Sequence, residues 1–455
     1  METKKKQKSN KTSWRLHLNC TQIITLSFLC VILIGAGLLS LPIASRTHAW
    51  TPFTDALFTS FAATCVTGLT IYDTYSHWNG FGQIVLLVLI QIGGLGFMTV
   101  MSFLSMITKR RISLHQRRLI MQAAGHIQLN GVLTLVRKIF IGTFIFEGIG
   151  AVLLASRFCR TMGMKEGIYY GIFHSVSAFC NAGIDLMGKY QPFSSFTLFQ
   201  SDALVQTVLM CLTVIGGVGF FVWSDIMRCG IHVKKYALHT KMVLSMTAFL
   251  LLGGWLGFFF LEYNGALAGM PLGEKILSSL FQSVMTRSAG FVVFDQSLMR
   301  GGSVLTVVLM LIGGSPGSTA GGIKTTTVFV AMLTTVSTIR NKRSSTIFKK
   351  KISDETVRQA CSIITIYISL IFVSTIAVML LEDAWLTSAV FEVSAALGTA
   401  GISLGLTPSL CIASKYILML LMFVGRIGGY SFIIGFAMDR PIPDMERPVE
   451  KILVG

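Results

Sequence analysis

The stretch AATCVTGLT, residues 62–70, places a glycine among small and hydroxyl residues inside an apolar part of the chain. Three related stretches follow it: AFCNAGIDL at 178–186, TRSAGFVVF at 286–294 and LGTAGISLG at 397–405. The intervals between their shared glycines are 115, 107 and 111 residues, for Gly68, Gly183, Gly290 and Gly401. Self-similarity at a near-constant interval indicates an internal repeat, which organises the whole chain.

A short apolar segment that begins near a phenylalanine precedes each glycine. The segments read ALFTSFAATCVTG, GIFHSVSAFCNAG, SLFQSVMTRSAG and AVFEVSAALGTAG. Phe58, Phe173 and Phe391 lie ten residues before their glycine, whereas Phe281 lies nine before. Segments of about 10–13 residues are too short to cross a hydrocarbon core of about 30 Å. They are therefore predicted to be re-entrant helices that enter the membrane and return.

The composition is that of an integral membrane protein. Of the 455 residues 53% are hydrophobic and only 13% are charged, against about 25% charged in soluble domains. A spanning helix needs roughly 20 apolar residues. Eight candidate transmembrane helices are found at 21–45, 78–108, 139–156, 203–224, 242–261, 303–323, 359–381 and 416–438. The first is predicted to be a span rather than a signal peptide, because it is long and lacks a cleavage site.

The net charge of +18 is unevenly distributed along the chain. Basic residues cluster at the N-terminus and at 109–118, 228–236 and 340–351, and the intervening connections hold few. This alternation is typical of the positive-inside rule and places both termini in the cytoplasm. Attraction to anionic membrane lipids accounts for the excess charge, so no nucleic-acid partner is predicted.

The predicted fold is an all-α membrane protein with eight transmembrane helices and four re-entrant pore helices. Each repeat comprises a span, a pore helix, a glycine turn and a second span. The predicted repeats are residues 1–125, 126–235, 236–355 and 356–455. Irregular backbone at membrane depth is tolerated only where it is buried in protein or lines a watery cavity. Four such turns therefore predict a common axis with pseudo-fourfold symmetry.

The four glycine turns are predicted to form a cation-selectivity filter. Glycine adopts backbone angles closed to other residues, which lets successive carbonyl oxygens face an axis and replace the water shell of K⁺. The predicted filter residues are Val66, Thr67, Gly68, Asn181, Ala182, Gly183, Ser288, Ala289, Gly290, Thr399, Ala400 and Gly401. Close helix packing is the alternative, and it explains any one stretch better than four matched copies.

The sixth predicted span cannot be a regular helix throughout, because it contains a proline and five glycines. It is predicted to break around a gating loop, with a kink that has no gating role as the alternative. The predicted loop residues are Gly313, Gly314, Ser315, Pro316, Gly317, Ser318, Thr319, Ala320, Gly321, Gly322 and Lys324.

Arg426 lies within the last apolar run. An arginine inside a membrane costs at least about 2.5 kcal/mol and usually marks an ion path or a buried partner. It is predicted to form an electrostatic barrier in the pore. The alternative is a pairing with a buried carboxylate, Glu147 or Glu392.

The chain has none of the catalytic motifs of common enzymes. It lacks G-x-x-x-x-G-K-[ST], H-E-x-x-H and G-x-S-x-G, and its nine cysteines form no C-x-x-C pair. We therefore expect no enzyme activity, no catalytic residue and no covalently bound cofactor.

These motifs resemble the Trk/Ktr/HKT superfamily of cation transporters, and within it the KtrB-type potassium uptake subunits of bacteria. The resemblance covers about residues 20–440 and rests on CVTGLT, FCNAG, TRSAGF, LGTAG, GGSPGSTAGGIKTTT and FVGRIGG. It implies a homodimer with one pore per chain in the cell inner (plasma) membrane. It also implies a cytosolic ring of nucleotide-binding (RCK/KTN-type) regulatory subunits, through which ATP and ADP act. K⁺ is the implied transported ion, by passive flow or by symport with Na⁺.

Two features depart from the family pattern: Cys65 stands where a hydroxyl residue is more usual, and Asp185 follows the second turn. A sodium-selective or mixed-cation transporter is the alternative function, although Gly68 favours K⁺, because a serine there favours Na⁺ in that branch. A membrane anchor for a cytosolic partner is the alternative from another class. The sequence leaves open the K⁺ affinity, the extent of Na⁺ coupling, the gating nucleotide, the partner, an associated Na⁺-ATPase and the role of Asp185.

Overall fold

A computed structural model describes residues 20–96, 132–342 and 344–428. This part of the chain is mostly helical. Its longer helices are α1 Cys20–Ser40, α2 Phe53–Thr64, α3 Gly80–Leu95, α4 Val132–Met162, α5 Met164–Phe179, α6 Ala203–Val218, α7 Phe220–Cys229, α8 Leu238–Leu261, α9 Leu272–Met285, α10 Gly302–Leu311, α11 Thr325–Ile339, α12 Asp354–Glu382, α13 Leu386–Gly398 and α14 Ile412–Ile427. A four-residue helix, Thr74–His77, and several 3₁₀ turns lie in the connections.

Within the described ranges, four helices are long and apolar enough to cross a membrane: α1, α4, α8 and α12. They are the first spans of the four predicted repeats. The second spans are shorter, bent or interrupted. Two of them, α3 and α14, are followed by residues outside the described ranges. The predicted basic loop at 109–118 and the C-terminal tail also lie outside those ranges. The count of eight spans therefore stays a prediction.

The four short helices α2, α5, α9 and α13 precede the glycine turns. Each packs beside the long helix that comes before it in the chain. The phenylalanines that mark their sequences are buried to 1% exposure or less: Phe58, Phe173, Phe281 and Phe391. Within a membrane protein such burial stabilises through close packing rather than through removal from water, so this residue packs each short helix into the protein interior.

The second span of repeat 2, predicted at 203–224, contains a sharp bend. Helices α6 and α7 meet at an angle of 92°. Gly219 lies between them with φ of +99°, a left-handed conformation that continues neither helix. The amide of Phe220 then donates to Gly317 O at 2.9 Å, which holds the bend against the sixth predicted span.

The sixth predicted span, 303–323, contains most of α10 and of the break that follows it, whereas α11 begins beyond its predicted end, at Thr325. Residues 312–324, here called the intramembrane loop, contain no helix and connect the two. The loop closes at its base, where Ile323 N donates to Leu311 O at 3.1 Å. Thr325 N, at the start of α11, donates to Gly314 O at 3.1 Å. The glycine and proline content thus gives a compact loop rather than an extended one.

A short hairpin lies between the helices, in the basic stretch 340–351. Strands Thr346–Ile347 (β1) and Lys350–Lys351 (β2) pair antiparallel, with Thr346 opposite Lys351. The two residues between them, Phe348 and Lys349, have φ of +47° and +63°. Two successive left-handed residues form the turn that matches the twist of a two-residue hairpin.

Candidate functional site

The four glycine turns meet in one closed ring. Gly68 lies against Ala182 O of the second turn, and Gly183 against Ala289 O of the third. Gly290 lies against Ala400 O, and Gly401 returns to Thr67 O of the first turn. A Cβ atom added at any of the four would lie within 3.0 Å of that carbonyl oxygen. All four glycines have φ between +67° and +89°. Glycine is therefore required twice over, by conformation and by space.

Turns 1, 2 and 4 end their helices in the same way. Val66, Asn181 and Thr399 have φ of +57°, +61° and +51°, and each lies two residues before its glycine. The next amide bonds back into the helix: Thr67 N to Ala62 O, Ala182 N to Ser177 O and Ala400 N to Ala395 O, at 2.8–2.9 Å. This pattern of a left-handed residue and a long return bond is a Schellman-type helix end.

Turn 3 is built differently. Ser288, Ala289 and Gly290 all donate their amides to one acceptor, Met285 O, at 3.3, 3.0 and 3.2 Å. No residue between Met285 and Gly290 has a positive φ. The cause is visible in the sequence, since Phe281 stands nine rather than ten residues before its glycine. One residue fewer leaves no place for the left-handed residue of the other turns.

A cavity of about 610 Å³ opens on one side of the ring and is lined by all four ring glycines. Three aspartates also line it: Asp73, Asp185 and Asp295. Asp185 had been singled out, but Asp73 and Asp295 had not. Both lie five residues after a ring glycine, a regularity that could have revealed them. The described lining thus carries three carboxyl groups and no lysine or arginine.

Asp73 and Asp185 are close enough to affect each other. Asp73 accepts from Ser76 N at 2.8 Å and from Phe193 N at 3.2 Å, whereas Asp185 accepts from Met187 N at 2.9 Å. Asp185 lies in a loop outside the membrane-spanning helices. Burial raises the pKa of Asp185 to about 7, and the Asp73 carboxylate acts in the same direction.

The intramembrane loop packs against the other side of the ring. The cavity is lined by the ring glycines and by residues after the turns, whereas the loop contacts residues that precede the glycines. Gly321 N donates to Thr399 Oγ1 at 3.0 Å, and Thr319 Oγ1 donates to Phe179 O at 3.2 Å. The side-chain amide of Asn181 lies 3.1 Å from Thr319 Oγ1. These three contacts join the loop to turns 2 and 4.

Further backbone bonds hold the loop to the surrounding helices. Ser315 N donates to Gly217 O at 3.0 Å, and Gly322 N donates to Gly425 O at 3.2 Å. Lys324 Nζ donates to Ala320 O within the loop at 2.7 Å. The predicted loop residues are therefore brought together below the ring.

Arg426 bonds to backbone carbonyls of two elements. Its guanidinium donates to Thr319 O of the loop and to Gly93 O and Gly94 O of α3, the last at 3.0 Å. The last carbonyls of a helix have no partner within it and carry a partial negative charge. The end of α3 therefore attracts the cation.

The alternative pairing of Arg426 with Glu147 or Glu392 was wrong. Glu147 accepts from Gln91 Nε2 at 3.3 Å, and Glu392 accepts from Thr407 Oγ1 at 2.7 Å and from Ser403. Both carboxyl groups are occupied by neutral donors.

One contact with the loop was not foreseen. Arg287, part of the TRSAGF motif, donates from Nη2 to Gly313 O at 3.1 Å. The sequence analysis used this motif only for its glycine, and the spacing of the glycines gives no signal for the arginine.

Comparison with known proteins identifies the family. A family model described as TrkH, a cation transport protein, matches residues 3–447. The potassium/sodium uptake protein NtpJ of Enterococcus hirae is 37% identical and aligns over 97% of this chain and 98% of its own. The Ktr system potassium uptake protein B of Bacillus subtilis is 36% identical, over 95% of this chain and 96% of its own.

A solved structure gives an independent comparison of the fold. The crystal structure of the potassium transporter TrkH from Vibrio parahaemolyticus matches with a TM-score of 0.74 and 18% identity. It covers 94% of this chain and 87% of that chain. The family consists of cation transporters and not enzymes, in agreement with the missing catalytic motifs. By a family model that covers nearly its full length, the chain belongs to the TrkH family of cation transport proteins.

Proposed function

We propose that this chain is the ion-translocating membrane subunit of a potassium uptake system. The observation that carries the proposal is the closed ring in which each glycine lies against the carbonyl of the next turn. Potassium uptake is the function named for the B proteins of the Ktr systems of Bacillus subtilis and Vibrio alginolyticus, which are 36% and 37% identical to this chain.

In this proposal K⁺ enters from the cavity, where the carboxylates of Asp73, Asp185 and Asp295 attract cations. It then exchanges water for the carbonyl oxygens of the glycine turns. Only the glycine is common to the four turns, so a single carbonyl ring is tightly specified. We therefore expect weaker discrimination than in a filter that repeats the TVGYG sequence.

Below the ring the intramembrane loop acts as the gate. Its bonds to Thr399 and Phe179 support this role, because movement of the loop cannot leave the turns undisturbed. Arg426 holds the loop to α3 and adds a positive charge beneath the ring. In the closed state both the backbone of the loop and this charge oppose the passage of a cation.

The wider assembly also belongs to the proposal. We expect a homodimer with one pore per chain, in the cell inner membrane with both termini in the cytoplasm. A cytosolic RCK/KTN-type ring would bind ATP or ADP and regulate the loop. The cytosolic ring is expected to dock on the basic loops at 109–118 and 340–351 and on the C-terminal tail. Anionic lipids are the other expected partner of the basic loops.

A second candidate is mixed potassium and sodium transport. The observation in its favour is the name of NtpJ, a potassium/sodium uptake protein that is 37% identical over nearly the whole chain. The anchor hypothesis does not account for the closed ring or for the contacts between loop and turns.

The deciding experiment is the flux of K⁺ and Na⁺ into liposomes that contain the purified protein. Wild type is compared with Gly68→Ser and with Gly253→Ser, a control position at which an added Cβ meets nothing within 4 Å. We expect K⁺ flux to exceed Na⁺ flux, and Gly68→Ser alone to lose this preference. Equal wild-type fluxes would favour the mixed-cation function. No flux of either ion, even with regulatory subunits added, would contradict transport through the ring.

A further inference from the structure

Arg287 occupies a position that holds small residues in the other turns. It lies three residues before Gly290. Cys65, Cys180 and Gly398 lie three residues before the other ring glycines. Among these four equivalent positions, a long charged side chain is found only in turn 3, the turn with the irregular backbone.

The guanidinium of Arg287 is buried and only partly hydrogen-bonded within the described residues. Arg287 is 7% exposed, and none of the ion pairs found in the described ranges involves it. Its Nε has no hydrogen-bond partner within that part of the chain. A buried charge without a carboxylate is costly unless polar groups compensate it. The bond from Nη2 to Gly313 O, at 3.1 Å, is thus the contact that fixes the direction of the side chain.

Gly313 lies at the base of the intramembrane loop. Its Cα packs so closely on Gly321 O that an added Cβ would overlap that oxygen. Beside it, Ile323 N bonds to Leu311 O and joins the two ends of the loop. A donor that holds Gly313 therefore holds both ends at once.

The backbone of turn 3 is also held differently from that of the other turns. Its three amides share Met285 O, whereas the other turns have a left-handed residue with its own return bond. A pull on Arg287 is transmitted through two residues, Ser288 and Ala289, to Gly290 in the ring. Asn181 and Thr399 contact the loop too, but through neutral groups, which bond less strongly than a guanidinium.

We propose that Arg287 is the positioning residue that couples the third glycine turn to the base of the intramembrane loop. The bond to Gly313 holds the loop closed, and its release changes the position of Gly290. Occupancy of the ring by K⁺ and the position of the loop are then linked in both directions. This inference rests on the proposed function, because it assigns the loop as the gate of the same pathway.

The experiment uses a cysteine in the loop as reporter. Ser318→Cys is introduced into the full-length protein in liposomes, and a small charged methanethiosulfonate is applied from the cytoplasmic side. Protein without the introduced cysteine gives the background from native cysteines. The labelling rate is measured for Arg287→Met, for Arg287→Lys and for Arg300→Met, whose parent side chain is exposed.

Loss of a charge-assisted hydrogen bond is expected to raise the labelling rate of Arg287→Met about tenfold. Arg287→Lys retains a cationic donor and should recover most of the wild-type rate, and Arg300→Met should label like wild type. The wild-type rate should differ between K⁺ and choline, and this difference should vanish in Arg287→Met. A role limited to stability would not produce that ion dependence.

Equal labelling of wild type and Arg287→Met would overturn the proposal, as would ion dependence that persists in Arg287→Met. Size-exclusion profiles identify variants that fail to fold. If Arg287→Met is among them, the labelling rate of Arg287→Lys is compared with that of wild type instead. Labelling does not require net transport. If wild-type liposomes pass no K⁺, the proposed function fails, whereas the contact between Arg287 and the loop is still tested by the labelling rates.

Discussion

Glycine turns 1, 2 and 4 share one geometry, and turn 3 differs from them at every level. The three regular turns have a left-handed residue two places before the glycine. Turn 3 lacks this residue, and three of its backbone amides donate to the same acceptor, Met285 O. The regular turns carry a small residue where turn 3 carries Arg287. These differences all lie in repeat 3, whose second span is interrupted by the intramembrane loop.

The following spans show the same contrast. Gly93, Gly216 and Gly425 each pack against the carbonyl of a helix end, namely Thr64 O, Phe179 O and Leu397 O. The corresponding glycine of repeat 3, Gly313, packs instead against Gly321 O of the intramembrane loop. In repeats 1, 2 and 4 the second span therefore packs directly on the end of the short helix that precedes the ring glycine. In repeat 3 the second span forms the intramembrane loop instead, and under the proposed function this departure from symmetry is the basis of gating.

The largest effect is expected from replacing ring glycines by alanine. Each replacement adds a Cβ that collides with a neighbouring carbonyl and forces a left-handed alanine, which costs about 1–2 kcal/mol before the collision. We expect the K⁺ flux to fall by roughly 100-fold for Gly68→Ala, Gly183→Ala and Gly401→Ala, which corresponds to about 2.7 kcal/mol. Gly290→Ala should be the least damaging, because its Cβ would lie 2.6 Å from Ala400 O, the widest of the four spaces.

Gly253→Ala serves as the control, since its Cβ meets nothing within 4 Å. Flux is measured in liposomes at equal protein density. If the K⁺ flux of Gly290→Ala is as low as that of the other three variants, turn 3 tolerates an added Cβ no better than the regular turns. The structural difference between the turns would then have no effect on transport.

Much of this architecture follows from the sequence. The interval between the four glycines predicted four turns, and the closed ring contains those four residues. Pro316 and its neighbouring glycines predicted a break, and the structure has no helix at 312–324. These features are local, because conformations available to glycine and proline leave few alternatives.

What the sequence did not predict depends on contacts between distant segments. The partners of Arg426 are carbonyls of Thr319, Gly93 and Gly94, and a search for charged partners points to carboxylates instead. The 92° bend between α6 and α7 is held by a hydrogen bond from Phe220 N to Gly317 O of the loop. The one-residue difference at Phe281 was visible, but its consequence for the helix end was not. Backbone acceptors carry no signature in the sequence.

An intermediate effect is expected at Thr399, which ties turn 4 to the loop by a neutral bond. Thr399→Ala removes the acceptor of Gly321 N. Loss of one neutral hydrogen bond costs about 1 kcal/mol, which corresponds to roughly a fivefold faster labelling of Ser318→Cys. Thr399→Ser keeps the hydroxyl group and should label at nearly the wild-type rate. If Thr399→Ala raises the labelling rate more than Arg287→Met does, the bond from Thr399 holds the loop more strongly than the bond from Arg287. Turn 3 would then not be the main link to the loop.

The smallest effect concerns the cavity side, where turns 1, 2 and 3 are followed by aspartates and turn 4 is not. The raised pKa of Asp185, about 7, means that this carboxyl is charged above that pH and neutral below it. Attraction of K⁺ is therefore present at higher external pH and is lost as the pH falls through about 7. Since the charge acts across water, the half-saturating K⁺ concentration should rise only about two- to threefold at low pH.

Asp185→Asn should show the raised half-saturating concentration at every pH, without the step. Asp295→Asn should keep the step, because Asp185 remains, and should raise the concentration throughout. Uptake into liposomes at several external pH values, with the internal pH held constant, measures both. A step of equal size in Asp185→Asn would assign the titration to another group. The pH dependence of the charge in the cavity would then not come from Asp185.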